Sequence, residues 1–340
     1  MNKFIIFLIY LSLVSLQEDI ERKVLVDDIF TADPSAHVFD GAIYIYPSHD
    51  ENEDAEINVD GDQYGMKDYH IFRMTSTKEK PEDLGVAFSL EDVPWALKQL
   101  WAPDCVEKDG KYFFVFPARD KNKMFRLGIA KGDKPGGPFV PEENYIEGSY
   151  SIDPCMFPDL DGKYYLTFGG IWGGQLDQYR NNKWSKDNKE PVGKEAAISP
   201  KIALMKDSLL EFAEEPRDLV IVDENGNPLT AEDQDRRFFE GPWIFKKDDL
   251  YYFTYSTGTT HFICYATSKN IYGPYTYRGV ILTPVEGWTT HHSILEFKGN
   301  WYLFYHDALK SKVDYKRNIK FTTLHFNDDG TIKTIEGKDK

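Results

Sequence analysis

Five times along the chain a short acidic or glycine turn is followed by a burst of aromatic and β-branched residues. Asp40-Gly41 precedes Ala42-Ile43-Tyr44-Ile45-Tyr46, Asp109-Gly110 precedes Lys111-Tyr112-Phe113-Phe114-Val115-Phe116, and Asp161-Gly162 precedes Lys163-Tyr164-Tyr165-Leu166-Thr167-Phe168. Asp248-Asp249 precedes Leu250-Tyr251-Tyr252-Phe253-Thr254-Tyr255, and Lys298-Gly299 precedes Asn300-Trp301-Tyr302-Leu303-Phe304-Tyr305. Such bursts between turn residues predict strands, and the turns predict tight hairpins in which glycine takes a positive φ. Further strands are predicted at 69–74, 125–130, 262–266 and 319–324. The unit that repeats is therefore larger than one hairpin and irregular in length, recurring every 50 to 90 residues or so, as in the blades of a propeller. Residues 49–68 are acidic and weakly periodic and predict a long loop inside the first unit. Residues 174–236 predict one strand, around Ile202-Ala203-Leu204-Met205, carrying long insertions. The polar tail after Ile335 is expected to fray.

The chain opens differently. Lys3 is followed by an apolar run from Phe4 to Leu16. That run is too short to span a bilayer and has the form of a secretory leader, so residues 1–17 are expected to be a signal peptide and the mature protein to be exported and extracellular. Residues 28–335 are expected to form a single domain. Composition narrows the partners: a formal charge of −16, with no basic stretch, argues against nucleic acid and leaves a neutral or cationic ligand open. No later segment is apolar enough for a membrane. An aromatic content of 15% suits strands. Cys105, Cys155 and Cys264 are too scattered for a disulfide framework or a zinc knuckle and read as buried thiols.

Chemistry enters a few residues before the turns. Asp33 stands in Ala32-Asp33-Pro34-Ser35, Asp153 in Ser151-Ile152-Asp153-Pro154, and Glu240 in Phe239-Glu240-Gly241-Pro242. An isolated Asp before Pro is an ordinary turn former. Recurrence at one relative position is different, because the first strand of each propeller blade lines the central channel and such residues converge at one mouth. Glycosidic cleavage needs a pair of carboxyls there, an acid for the leaving oxygen and a base or nucleophile opposite. A third carboxylate nearby raises the acid's pKa by like-charge repulsion.

These motifs, with Trp101-Ala102-Pro103-Asp104, 168–175 (Phe-Gly-Gly-Ile-Trp-Gly-Gly-Gln) and 287–294 (Gly-Trp-Thr-Thr-His-His-Ser-Ile), make the chain resemble glycoside hydrolase family 43, nearest its β-xylosidase and α-L-arabinofuranosidase branch. The resemblance runs over roughly residues 28 to 335. It implies an all-β, five-bladed β-propeller with a central funnel-shaped active site, and an inverting, exo-acting enzyme removing terminal β-D-xylose or α-L-arabinofuranose from xylo- or arabino-oligosaccharides. It assigns Asp33 as general base, Glu240 as general acid and Asp153 as the carboxylate that tunes and orients the acid. It places Arg317 against sugar hydroxyls or the carboxylates, and His292 near the axis, as substrate contact and as the ligand of a structural calcium ion. No cofactor is required by the acid–base chemistry. Trp101, Trp172 and Trp288 are expected to stack on sugar faces. Asp104, which opens the second unit, is left as substrate-contacting or structural. Of the rival readings, an arabinan- or galactan-degrading enzyme of the same clan keeps the same machinery. A fructan hydrolase would carry Asn-Asp-Pro-Asn and Arg-Asp-Pro, which are absent here, and a non-catalytic carbohydrate-binding propeller has no need of all three carboxylates.

Overall fold

The computed structural model describes residues 19–51, 56–288 and 291–338. The expected signal peptide at 1–17 lies outside them. Five sheets of four or five strands form the body, with one two-stranded hairpin outside them, and helical structure among the described residues is limited to three single 3₁₀ turns. Each sheet is one blade. Blade 1 runs Thr31–Phe39, Ala42–His49, Asp68–Met74 and Glu82–Ser89. In blades 2, 3 and 4 the first two strands are Asp104–Lys108 and Lys111–Asp120, Cys155–Pro158 and Tyr164–Phe168, and Glu240–Lys247 and Leu250–Ser256. Blade 5 comprises His292–Phe297, Asn300–Asp307 and Asn318–Leu324, completed on its outer edge by Lys23–Val24. The inner strands touch in a closed circuit, 1 to 2 to 3 to 4 to 5 and back to 1.

The bursts are apolar on both faces because each second strand is sandwiched between two neighbours. In blade 1, Tyr44 and Tyr46 pack towards Phe114 and Phe116 of blade 2, while Ile43 and Ile45 pack towards Phe304 and Phe321 of blade 5. A strand covered on both sides loses the alternation that marks a half-exposed sheet. The turns behave as expected: Asp40-Gly41, Asp109-Gly110 and Lys298-Gly299 each place both central residues at positive φ, the twist a two-residue hairpin needs.

Two boundaries differ from expectation. The domain begins before residue 28, because Lys23 and Val24 pair with Phe321 and Lys320 and close the ring. Two residues carry no readable period, so this strand is invisible in the sequence. The 174–236 region contains the expected strand at Lys201–Leu204, and also a hairpin at Tyr179–Arg180 and Lys183–Trp184 and two short edge strands, Arg217–Asp218 and Ile221–Val222. All three cysteines are free and buried.

Candidate active site

At one mouth of the channel lies a cavity of about 840 Å³ whose lining includes Asp33, Asp153, Glu240, Arg317, Trp101, Trp172 and Trp288. The backbone at the carboxylates is irregular in a consistent way. Asp33 has φ 52° and sits where the blade 1 ladder skips from Ala32 to Ser35. Asp153 has φ 56°, and Glu240 opens a bulge that runs to Trp243. A bulge at a strand start turns a side chain out of the ladder and into the channel, and positive φ at a non-glycine residue is strain that concentrates at functional sites. The Pro after Asp33 and Asp153 is part of that device.

The three carboxyls are tuned differently. Burial alone would raise Asp33, but Arg317, His306 and His291 together with a hydrogen bond from Ser48 overcome it and hold its pKa at about 2. Arg317 Nη1 and Nη2 lie 3.2 and 3.4 Å from its two oxygens, and the Ser48 hydroxyl donates at 2.6 Å. Glu240 is pushed up to about 7 by burial and then by the Asp33 charge. Asp153 is raised well above the carboxylate range by burial, then by Glu240 and Asp33. Asp153 and Glu240 thus titrate as a pair that retains protons where a free carboxyl would be ionised.

Asp153 acts on its neighbour chiefly through position. Its Oδ2 accepts the Gly241 N–H at 2.9 Å, anchoring the residue next to Glu240. Gly241 takes φ +64°, and a Cβ there would stand 3.3 Å from the His291 ring, so glycine at this position serves both the turn and the approach. Burial and the Asp33 charge raise Glu240, and Asp153 is coupled to it.

Arg317 is 3% exposed and binds carboxylates on two sides. Besides Asp33 it holds Asp50, through Nε to Oδ2 at 2.9 Å and Nη2 to Oδ1 at 2.8 Å, and its guanidinium lies 5.1 Å from the centre of the Tyr64 ring. Asp50, Ser48, Tyr64 and His306 were not singled out from sequence. The readable signal was the polar run Ser48-His49-Asp50 ending an otherwise apolar strand. Tyr64 belongs to the predicted 49–68 loop, whose residues 57–61, 63, 64 and 66 wall the cavity.

His292 is a correction. It is fully buried in blade 5, with Nε2 2.6 Å from the Thr254 hydroxyl, and the residue facing the cavity is His291, whose Nε2 is 4.0 Å from Asp153. Only one of the two faces the funnel, as alternation requires. The parity is reversed because His291 precedes the ladder that begins with His292 opposite Tyr305. The donors at His292 do not fit calcium either. Its Nδ1 is buried without a hydrogen-bond partner, its Nε2 meets the Thr254 hydroxyl, and among the described residues no group of three histidine, cysteine or carboxylate ligand atoms gathers at it. Calcium takes about six to eight oxygen ligands.

Asp104 is structural. Its Oδ1 accepts from Ser35 Oγ and lies against His37 Nε2, both at 2.6 Å, and its Oδ2 accepts the Met156 N–H at 2.6 Å, so it ties blade 2 to blades 1 and 3. The tryptophans divide. Trp101 donates to the Tyr64 carbonyl at 2.8 Å and packs on Phe125, forming a wall. Trp172 and Trp288 stack with ring centres 6.1 Å apart and remain 42% and 37% exposed at the rim. Arg119, also on the cavity, is locked to the carbonyls of Asp60 at 2.8 Å and Gly173 at 3.3 Å.

The chain is similar along its length to characterised enzymes. A xylosidase/arabinosidase of Bacteroides ovatus is 54% identical over 94% of this chain and 99% of its own, and a β-xylosidase of Xylanibacter ruminicola is 50% identical over 93% and 100%. The structure superposes with a TM-score of 0.92 on a β-xylosidase/α-arabinofuranosidase from a compost microbial metagenome, solved with xylotriose in a calcium-free form; the two share 53% identity over 95% of this chain and 99% of that one. With residues 26–332 also matching the model of the glycosyl hydrolases family 43, this propeller of five blades and three channel carboxyls belongs to glycoside hydrolase family 43.

Proposed function

We propose that the protein is an inverting exo-glycosidase that releases terminal β-D-xylose, and also α-L-arabinofuranose, from hemicellulose-derived oligosaccharides. What carries this reading is the opposite tuning of two carboxyls on one cavity, Asp33 held near 2 and Glu240 near 7. At pH 5 the first is ionised and the second protonated, the states a base and an acid need. Asp33 takes a proton from a water whose oxygen forms the new bond to the anomeric carbon. Glu240 gives its proton to the departing glycosidic oxygen as the old bond breaks. Arg317 keeps Asp33 charged, Asp153 holds the backbone beside Glu240, and His291, whose pKa burial lowers, lines the cavity. The relatives named for xylose and arabinose release support the sugar class.

The deciding experiment is NMR of the anomer first released from an aryl β-xyloside, whose leaving group carries no anomeric centre of its own. Inversion gives the α-xylose signal before mutarotation. A β signal would make Asp33 a nucleophile and overturn the reading. The kcat/KM profile should be flat from about pH 3 to about 6 and fall through a single alkaline limb near 7, since the base stays charged far below and the acid loses its proton there. An alkaline limb above 9 would remove Glu240 from the acid role.

The stacked and exposed rings of Trp172 and Trp288 at the rim support a role in meeting the sugar beyond the scissile bond. Trp172→Ala should raise KM for xylotriose about 10-fold, one aromatic contact's worth, and leave KM for an aryl xyloside nearly unchanged. Equal effects on the two substrates would place the ring away from the chain-binding side.

A further inference from the structure

The end of the strand Ala42–His49 serves two faces. Ser48 and Asp50 reach the channel, Ser48 donating to Asp33 at 2.6 Å and Asp50 holding Arg317. His49 lies between them, and alternation sends it to the other face. There it meets Asp68 and His70 of the adjacent strand Asp68–Met74. The ladder ends with Ile45 opposite Phe72, and the same register extended along both strands sets His49 level with Asp68, with His70 two residues on and on the same side.

These three side chains are close. His49 Nδ1 is 2.7 Å from Asp68 Oδ1, the His49 and His70 rings meet edge to face with centres 5.0 Å apart, and one ligand-capable atom from each residue lies within 4.8 Å of the other two. His70 is oriented from behind, its Nδ1 lying 3.1 and 3.0 Å from the two oxygens of Asp83. A proton held on Nδ1 leaves the imidazole lone pair on Nε2. A carboxylate behind a histidine is the arrangement that fixes the tautomer of a metal-ligating imidazole. The side chains of His49, Asp68 and His70 keep 15%, 21% and 17% of their exposure, which leaves an entry path and an open coordination position.

We propose that His49, Asp68 and His70, oriented by Asp83, form a binding site for a divalent transition-metal ion of the zinc class, back to back with Asp33. Two imidazoles and one carboxylate, with water in the fourth position, suit Zn²⁺ or Co²⁺ and suit hard cations such as Ca²⁺ poorly. Tetrahedral bonds of about 2.0–2.2 Å place ligand atoms about 3.3 Å apart. The His49–Asp68 contact opens slightly to reach that spacing, and side-chain rotation closes the wider gaps. The ion takes the place of the proton between His49 and Asp68, which passes to solvent. Its consequence is to pin the strand end from which Ser48 and Asp50 hold Asp33 and Arg317.

Equilibrium dialysis of Co²⁺ against chelator-treated protein tests this without any glycosidase assay. Wild type should bind one equivalent with the visible absorption of four-coordinate Co²⁺, displaced by Zn²⁺. His49→Gln and His70→Gln should each weaken binding by about 100-fold or more, and Asp83→Asn by about 10–100-fold. Glu240→Gln should bind as wild type does, which separates this site from the channel carboxyls. Asp83→Asn leaves all three ligands in place and still reads the site if a histidine variant fails to fold. The proposal is overturned if wild type binds no equivalent, if the equivalent survives loss of either histidine, or if it disappears in Glu240→Gln.

Discussion

Glu240→Gln should lower kcat on xylobiose by about 10²–10⁴-fold, the range that a positioned proton donor supplies. The amide fills the same space and keeps the blade 4 bulge, but it has no proton to give. A sugar alcohol is a poor leaving group and cannot depart without one. A dinitrophenyl xyloside leaves as a stable anion, so on that substrate the variant should stay within about tenfold of wild type. Loss of the acid should also erase the alkaline limb near pH 7, because that limb reports Glu240 leaving its protonated state. An unchanged rate on xylobiose would dismiss Glu240 as acid. An equal loss on both substrates would mean that the change had disturbed binding or the water, leaving the acid role unsupported. Asp153→Asn separates tuning from placement. If Asp153 acts through the Gly241 N–H, its amide should lower kcat while leaving the alkaline limb near 7, since burial and Asp33 are what raise Glu240.

Most of the propeller is legible in the chain because its second strands are buried on two faces and begin at turns that few residues can make. The strands at 42–49, 111–120, 164–168, 250–256 and 300–307 all carry that double signature. Lys23–Val24 carries neither, since an outer strand of two residues is defined by its partner. The carboxylates were legible through Asp-Pro and Glu-Gly-Pro, sequence marks of the bulges and left-handed turns that aim them. Of their partners, Arg317 was reached only through the family resemblance, and Asp50, Ser48 and His306 were not reached at all. Asp50 and Arg317 are 267 residues apart and meet because the ring closes, which no local pattern records. His291 and His292 show the limit most sharply: alternation says that one of them faces the funnel, but the parity depends on where the ladder starts.

Arg317→Met should be the most damaging single change to stability at this site. Asp33 and Asp50 are both buried, and the guanidinium lies within hydrogen-bond reach of both, at 3.2 Å from Asp33 Oδ1 and 2.8 Å from Asp50 Oδ1. Methionine fills similar volume and leaves two carboxylates facing each other without a cation. Stranding a buried charge costs about 3–5 kcal/mol. The pH dependence gives this its signature. In wild type Asp33 lies below its unfolded value, so it contributes stability that is present above about pH 4 and is lost as pH falls towards 2. Asp50 is already raised by burial in spite of Arg317, and works in the opposite sense. Without the arginine both are raised. The native state then binds still more protons than the unfolded chain, and the variant gains more stability than wild type as pH falls from 7 to 5, because Asp33 and Asp50 add to the gain that Glu240 and Asp153 already give wild type. Urea midpoints at pH 5 and pH 7 should therefore show a deficit that shrinks at the lower pH. The kcat/KM profile should move with it, its acid limb rising from about 2 into the range where Glu240 also titrates, so that the base and acid are together in their working states over a much narrower window. Arg317→Lys should restore little, because one ammonium cannot repeat a planar fork that engages both carboxylates. A pH-independent deficit, or an acid limb left where it was, would show that Arg317 acts on Asp33 through packing alone.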